Sequence, residues 1–134
     1  MNVRETHDVT TKRLADILAT FGDLELAILI GSRAAGVARP DSDWDLAIQW
    51  RRGMDFVQQL AATEQLRMAL AEKLGVAAQK IDLIDLPTAR LAMRAVVAEE
   101  GLPIIGEDGL PWQRFLQRTW RELEELYWEQ TYAA

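Results

Sequence analysis

Two aspartates follow a Gly-Ser pair at a spacing that suits metal and phosphate chemistry. Gly31 and Ser32 come first, and after ten further residues Asp43 and Asp45 flank Trp44. In a β-strand, side chains two residues apart point to the same face and lie about 7 Å apart along the strand. Two carboxylates placed in this way favour a cation between them.

The segments around these residues have the patterns of strands. Residues 24–30 form a short, largely apolar run that ends at the Gly-Ser pair, as expected of a buried strand that meets a turn. Residues 43–50 alternate, which predicts a second strand with Trp44 and the following even-numbered residues on the core face. Both aspartates then lie on the opposite face, at one end of the strand.

A later apolar run, residues 80–86, offers a third carboxylate before Pro87. Asp82 and Asp85 are three residues apart, so a strand here sends them to opposite faces, and only one of them can join the first two aspartates. We favour Asp82, because Asp85 adjoins the Pro87 boundary, where capping or exposure is the simpler explanation. Sequence geometry alone leaves the reverse assignment open.

Three carboxylates beside a Gly-Ser turn predict a magnesium and phosphate site. Magnesium takes oxygen ligands, typically one or two carboxylates with substrate phosphates and waters. Two such ions can hold the attacking and leaving oxygens of an in-line displacement at phosphorus. Gly31 allows close approach of the backbone, and the amides that open residues 32–35 can donate to phosphate oxygens. Carboxylates would bind the metal and amides the phosphates.

Other nucleotide and metal motifs fit less well. A P-loop needs lysine and then serine or threonine after its second glycine, whereas Gly36 is followed by Val37 and Ala38. The sequence has no cysteine, and its one histidine, His7, is expected at the surface near the N-terminus. Zinc sites and cysteine or histidine nucleophiles are therefore disfavoured.

The Gly-Ser pair, the Asp-Trp-Asp triplet and the later acidic strand resemble the signature of the polymerase β-type nucleotidyltransferase superfamily. The sequence of residues 31–47 is similar to those of its minimal nucleotidyltransferase branch, the antitoxin partners of HEPN-domain ribonuclease toxins. The resemblance covers roughly residues 10–106. It implies a nucleotidyltransferase fold, ATP with Mg²⁺, and transfer of AMP to a tyrosine of the cognate toxin.

The resemblance also gives roles to particular residues. The catalytic residues and the ligands of two magnesium ions would be the same three carboxylates: Asp43, Asp45 and Asp82. The nucleotide would be bound by two residues of the turn and two basic side chains: Gly31, Ser32, Arg33 and Arg39. Asp82 could also take the proton of the acceptor hydroxyl. Arg51 and Arg52 extend the local basic patch.

Length and charge indicate one small domain with a protein partner. A chain of 134 residues that is 49% hydrophobic can bury one core but has little room for a substrate domain. We therefore predict a single domain over 1–134 that takes its acceptor from the toxin, with assembly into a homo- or hetero-oligomer left open. The net charge of −6 disfavours a long nucleic acid partner. Neither a signal core nor a membrane-spanning run is present, so a cytoplasmic location without membrane contact is expected.

The remaining patterns predict an α/β or α+β fold, a small mixed sheet with helices packed mainly on one face. Helices are predicted from a cap at Asp8 or Thr10 to Phe21, over 54–74 and from Pro87 to 99. A short last strand near 102–105 would complete the sheet.

A C-terminal amphipathic helix is predicted over about 111–132. Its apolar stripe, predicted to pack on the core, comprises Trp112, Phe115, Leu116, Trp120, Leu123, Leu126 and Tyr127. Trp128 and Tyr132 project from the opposite side and are candidate partner contacts, or else the final turn frays and folds back.

Two other functions stay open. A non-catalytic antitoxin that acts by binding alone would be expected to have a damaged set of aspartates, and here all three carboxylates are present. A small-molecule nucleotidyltransferase, such as one acting on an aminoglycoside, would be expected to have a further domain that grips the substrate. The chain has no room for such a domain.

Overall fold

The computed structural model describes residues 3–132, with side chains from residue 9 onward. The strands are β1 (Leu24–Ile30), β2 (Trp44–Trp50), β3 (Ile81–Asp85) and β4 (Leu102–Ile105). The helices are α1 (Val3–Leu18), α2 (Gly31–Ala35), α3 (Phe56–Leu74), α4 (Leu91–Glu100) and α5 (Leu110–Tyr132), with 3₁₀ turns at Ala78–Lys80 and Leu86–Thr88. The predicted mixed α/β fold is confirmed.

The strands form one mixed sheet in the order β3-β2-β1-β4. β1 pairs antiparallel with both β2 and β4, whereas β2 and β3 are parallel and are joined by a crossover that contains α3. Asp45 lies opposite Ile30 on one side and opposite Asp82 on the other. This register brings the end of β1 and the starts of β2 and β3 together at one end of the sheet.

Helices cover both faces of the sheet rather than mainly one. On one face, Leu14 of α1 and Leu66 of α3 pack with Leu46 in the first core cluster. On the other face, Val97 of α4 and Phe115 of α5 belong to the second. The physical reason lies in β1, whose nearly continuous apolar run is buried from both sides.

Two helix starts differ from the prediction. α1 begins at Val3, so Asp8 and Thr10 lie inside the helix, and it ends at Leu18. The side chains of His7 and Asp8 fall outside the described ones. After β3 the chain forms the 3₁₀ turn, and α4 begins only at Leu91 instead of at Pro87.

The first turns of α3 are more exposed than their apolar sequence suggests. Asp55 caps the helix in a reciprocal pair with Gln58. Phe56 and Val57 are 74% and 73% exposed, because α3 turns them away from the sheet, and its first buried side chain is Leu66. Across these described residues, no helix between 3 and 132 is long and apolar enough to span a membrane.

The predicted core stripe of α5 is core only in its first half. Trp112 and Phe115 are buried, and their rings stack at a centroid distance of 5.3 Å. Arg94 of α4 forms an ion pair with Glu122 at 2.5 Å, which fixes α5 against α4. Past this pair Leu123 is still partly buried, but the apolar side chains that follow it are exposed, with Tyr127 at 67%. The helix therefore extends its stripe beyond the surface that its own sheet can cover.

Candidate active site

Asp45 and Asp82 lie side by side at one end of the sheet. They are register partners on the parallel strands β2 and β3, where neighbouring strands are about 4.8 Å apart. Asp45 is partly buried and Asp82 is exposed. Burial, followed by the negative charges of Asp82 and Asp43 and a hydrogen bond with the Asp82 side chain, raises the pKa of Asp45. The negative charges of the neighbouring aspartates thus add to the effect of burial on Asp45.

Asp43 lies just before β2 and is exposed. Its Oδ1 atom is 3.8 Å from Nζ of Lys80, the residue that precedes β3. The sequence analysis missed Lys80. The signal was available in principle, because a parallel pairing of Trp44 with Ile81 places Lys80 beside Asp43.

Asp85 is separated from this carboxylate cluster of Asp43, Asp45 and Asp82. It pairs with Ile48, further along β2, and its Oδ2 accepts a hydrogen bond of 2.8 Å from Oγ1 of Thr88. The structure thus brings Asp82, and not Asp85, to Asp45. The catalytic and metal-binding roles of the cluster stay predictions.

Gly31 lies against the carboxylate cluster so closely that no side chain would fit between them. Its φ is +74°, and a Cβ atom added there would lie 2.6 Å from Oδ2 of Asp45. Ile30 is the N-cap residue of α2, so Ser32 lies within the first turn and not at the cap. The first amides of a helix have no acceptor within the helix. The predicted phosphate-binding turn and the carboxylates therefore adjoin one another.

Arg33 supports the loop that leads into β2. Its guanidinium carbon lies 4.0 Å from the centroid of the Trp44 ring, and Nη2 donates to the carbonyl of Ser42 at 2.9 Å. Burial lowers the pKa of Arg33. Because Trp44 and Asp45 point to opposite faces of β2, this guanidinium packs on the face away from Asp45.

Arg39 contributes to the same loop through its backbone. Its amide donates to Oγ of Ser42 at 2.8 Å, and its side chain is exposed. Ser42 thus shapes the turn that enters β2, as predicted. The roles of Arg33 and Arg39 in nucleotide binding stay predictions.

The carboxylate cluster has the donor chemistry that Mg²⁺ needs. Over the part of the chain that the structure describes, no three acidic, histidine or cysteine side chains are already arranged around a common metal position. Magnesium nevertheless takes only one or two carboxylates in typical sites and completes its shell with phosphates and waters. Burial, and after it the negative charges of Asp82 and Asp43, raise the pKa of Asp45 and so destabilise its ionised form. A divalent cation would supply compensating positive charge.

A comparison with protein families decides the classification. The family model for polymerase beta nucleotidyltransferases matches residues 12–109. The chain belongs to this nucleotidyltransferase family. The matched range contains β1 to β4 and every candidate site residue. No curated protein sequence matches this nucleotidyltransferase significantly.

Solved structures share its fold. A chain of a toxin–antitoxin complex with AMP-PNP is 24% identical, with a TM-score of 0.68 over 90% of this nucleotidyltransferase and 91% of that chain. A chain of the complex of tri-AMPylated Shewanella oneidensis HEPN toxin with MNT antitoxin is 20% identical, with a TM-score of 0.62 over 92% of each. A protein provisionally described as a minimal nucleotidyltransferase is 28% identical, with a TM-score of 0.56 over 77% of the chain described here and 96% of that protein's chain.

Burial and repulsion by neighbouring carboxylates at Asp45 predict that a neutral substitution there stabilises the protein in a pH-dependent way. In the metal-free protein, Asp45→Asn is expected to raise Tm at pH 7, because the neutral amide removes the buried charge and its repulsion by Asp82. The pKa of Asp45 is raised in the folded state, so its ionisation costs stability above that pKa. The gain should vanish as the pH falls below about 4, where the carboxyl is protonated in both states.

Thermal melts in EDTA from pH 3.5 to 8 measure this effect. Asp85→Asn, outside the cluster, should show no such pH-dependent gain. Addition of Mg²⁺ should raise the Tm of the unmodified chain more than that of Asp45→Asn. A lower Tm for Asp45→Asn at pH 7 would contradict the interpretation.

Proposed function

We propose that this nucleotidyltransferase is an antitoxin that transfers AMP from ATP to a tyrosine hydroxyl of a cognate HEPN ribonuclease toxin and thereby neutralises it. The observation that carries the proposal is the contact between the Gly31 turn and Asp45, with Asp82 beside it. The fold shared with a complex that contains AMP-PNP and with one that contains a tri-AMPylated HEPN toxin supports the nucleotide and the acceptor class.

The reaction is a single displacement at phosphorus. The tyrosine oxygen attacks the α-phosphorus, the bond from that phosphorus to the bridging oxygen breaks, and pyrophosphate leaves. Mg²⁺ held by the carboxylate cluster would neutralise the triphosphate and polarise the α-phosphate. A tyrosine hydroxyl has an ordinary pKa of about 10, so it needs a base at neutral pH.

Asp82 is the residue best placed to accept that proton. It lies on β3, one of the two edge strands of the sheet, and its side chain is exposed to an incoming protein. Asp45 is partly buried between Gly31 and Asp82, a position suited to holding metal rather than meeting the acceptor. The α2 amides beside Gly31 would bind the phosphates.

Incubation with radiolabelled ATP, Mg²⁺ and the protein encoded next to this chain, which we expect to be a HEPN ribonuclease, tests the proposal. We expect label on the HEPN protein, loss of its ribonuclease activity, and recovery of the label on a tyrosine after digestion. Tight binding and inhibition without label would instead establish an antitoxin that acts by binding alone. A genomic neighbour without HEPN character would overturn the assignment of the partner.

The exposed second half of α5 is the surface where we place the toxin. Trp128 and Tyr132 are 61% and 64% exposed, with ring centroids 5.2 Å apart. Acidic side chains surround them on the same stretch: Glu124, Glu125 and Glu129. A ribonuclease needs basic residues to hold RNA phosphates, so an acidic helix with aromatic anchors complements it.

Replacing both aromatic anchors, Trp128→Ala with Tyr132→Ala, should weaken toxin binding about 30-fold or more, because interface hot spots contribute about 2 kcal/mol or more. Phe56→Ala with Val57→Ala, an equally exposed apolar pair on α3, is the matched control and should bind normally. Surface plasmon resonance against immobilised toxin measures both. If only the α3 substitutions weakened toxin binding, the interface would have to be assigned to α3 instead of α5.

A further inference from the structure

A cavity of about 600 Å³ lies at the end of the sheet opposite to the carboxylate cluster. Its wall includes Gln49 and Trp50 at the end of β2, and Pro111 and Phe115 of α5. Gln49 and Asp45 are on the same face of β2 but four residues apart, which is about 13 Å along the strand. Ala47, fully buried in the second core cluster, lies between them. The cavity is therefore separate from the candidate active site.

Arginine side chains dominate the charge of this cavity. Four of them line it: Arg51, Arg52, Arg114 and Arg118. The wall also contains two carboxylates, Glu25 and Asp85, which accept hydrogen bonds of 2.8 Å from Gln49 and Thr88, so the arginines outnumber the carboxylates four to two. The cavity thus concentrates positive charge in a chain whose net charge is −6.

Three of these guanidinium groups are free to bind an anion. Arg51 forms an ion pair with Asp23 at 2.6 Å. Among the described residues, no ion pair engages Arg52, Arg114 or Arg118. Such a grouping repels itself unless an anion lies within it.

Two separate elements bring these arginines together. Arg114 and Arg118 are four residues apart on α5 and therefore share a helix face. Arg51 and Arg52 come from the turn after β2. Pro111, in the first turn of the 23-residue α5, adds the positive end of a long helix to the same wall. The basic patch seen in the sequence is thus divided, because Arg33 packs on Trp44 at the other end of β2.

We propose that this arginine cavity is a second anion site, which binds the phosphate groups of a free nucleotide or of the phosphorylated end of an RNA. The planar guanidinium fork matches phosphate oxygens two at a time. Trp50 and Phe115 are buried, whereas the four arginines of the cavity are exposed and available to a ligand. The volume is in the range of small-molecule sites. The site does not depend on the AMP-transfer reaction.

Calorimetric titration of the full chain with inorganic tripolyphosphate in EDTA tests the site. We expect one binding event, weakened at least 10-fold in Arg114→Glu with Arg118→Glu. Arg121→Glu, an exposed arginine of the same helix that does not line the cavity, should bind as the unmodified chain does. Asp43→Asn with Asp45→Asn should also retain binding, which places the event away from the carboxylate cluster. Melting curves verify that each variant is folded.

Two further ligands identify the source of the phosphates. ATP binding at least as tightly as tripolyphosphate supports a free nucleotide, whereas a 5′-triphosphorylated octaribonucleotide binding at least 10-fold more tightly than ATP supports an RNA end. Arg114→Lys with Arg118→Lys should weaken either ligand less than the glutamate pair does. No tripolyphosphate binding, equal loss in Arg121→Glu, or tighter binding of a polyglutamate peptide would overturn the proposal.

Discussion

Asp45→Asn is expected to lower the rate of AMP transfer to the toxin about 10³-fold or more. Asp45 is the most enclosed of the three carboxylates, lying between the Gly31 turn and Asp82. Metal stabilisation of a displacement at phosphorus amounts to several kcal/mol, and each 1.4 kcal/mol is about tenfold in rate. The amide keeps the shape of the side chain and removes only the charge that would hold the proposed Mg²⁺.

Asp85→Asn is the matched control for this charge removal. Asp85 belongs to β3 as Asp82 does, but it is bonded to Thr88 away from the cluster. Transfer rates from initial label incorporation should be unchanged within about threefold in this control. Comparable losses in Asp85→Asn and Asp45→Asn would mean that the acidic set has been assigned wrongly. Toxin binding by Asp45→Asn should persist, because α5 is untouched.

Gly31→Ala is expected to lower AMP transfer about 10²-fold, since displacement of a catalytic group by about 1 Å can cost this much. Its added Cβ would meet Oδ2 of Asp45 at 2.6 Å, so either the carboxylate or the turn must move. The positive φ of +74° adds strain of about 1 kcal/mol to the folded state. Activity and stability therefore both fall.

Gly75→Ala separates these two effects. Gly75 ends α3 with a φ of +69°, and a Cβ there would meet nothing within 4 Å. It should lose a similar amount of stability in urea melts and keep its transfer activity. If Gly75→Ala lost as much activity as Gly31→Ala, general destabilisation would explain both, and the contact with Asp45 would be irrelevant to catalysis.

Local sequence patterns were sufficient for the strands that carry the site. The apolar run before Gly31 gave the bounds of β1, and the alternation after Asp43 gave the two faces of β2. The choice of Asp82 over Asp85 followed from the two-residue period and from Pro87, and the structure places Asp82 at Asp45. These features depend on neighbours in the chain, which is why a sequence displays them.

Features that depend on distant neighbours were not predictable in the same way. Lys80 meets Asp43 only because β2 and β3 run parallel, and the sequence pattern alone did not decide the directions of the strands. The second layer of helices requires knowing that β1 is an inner strand of the sheet. The stacking of Arg33 on Trp44 depends on the path of the loop between α2 and β2. Each depends on how distant segments of the chain are arranged in three dimensions.

Two of the three carboxylates lie on or beside a hairpin strand, whereas the third lies on a strand that the chain reaches only through α3. β1 and β2 are joined by a modest loop, so their pairing costs less chain entropy than the parallel docking of β3 after its crossover. The mutually repelling charges therefore come together only once that long-range step is complete. A newly made chain would form the predicted phosphate-binding turn early and bring its three carboxylates together late, on completion of its sheet.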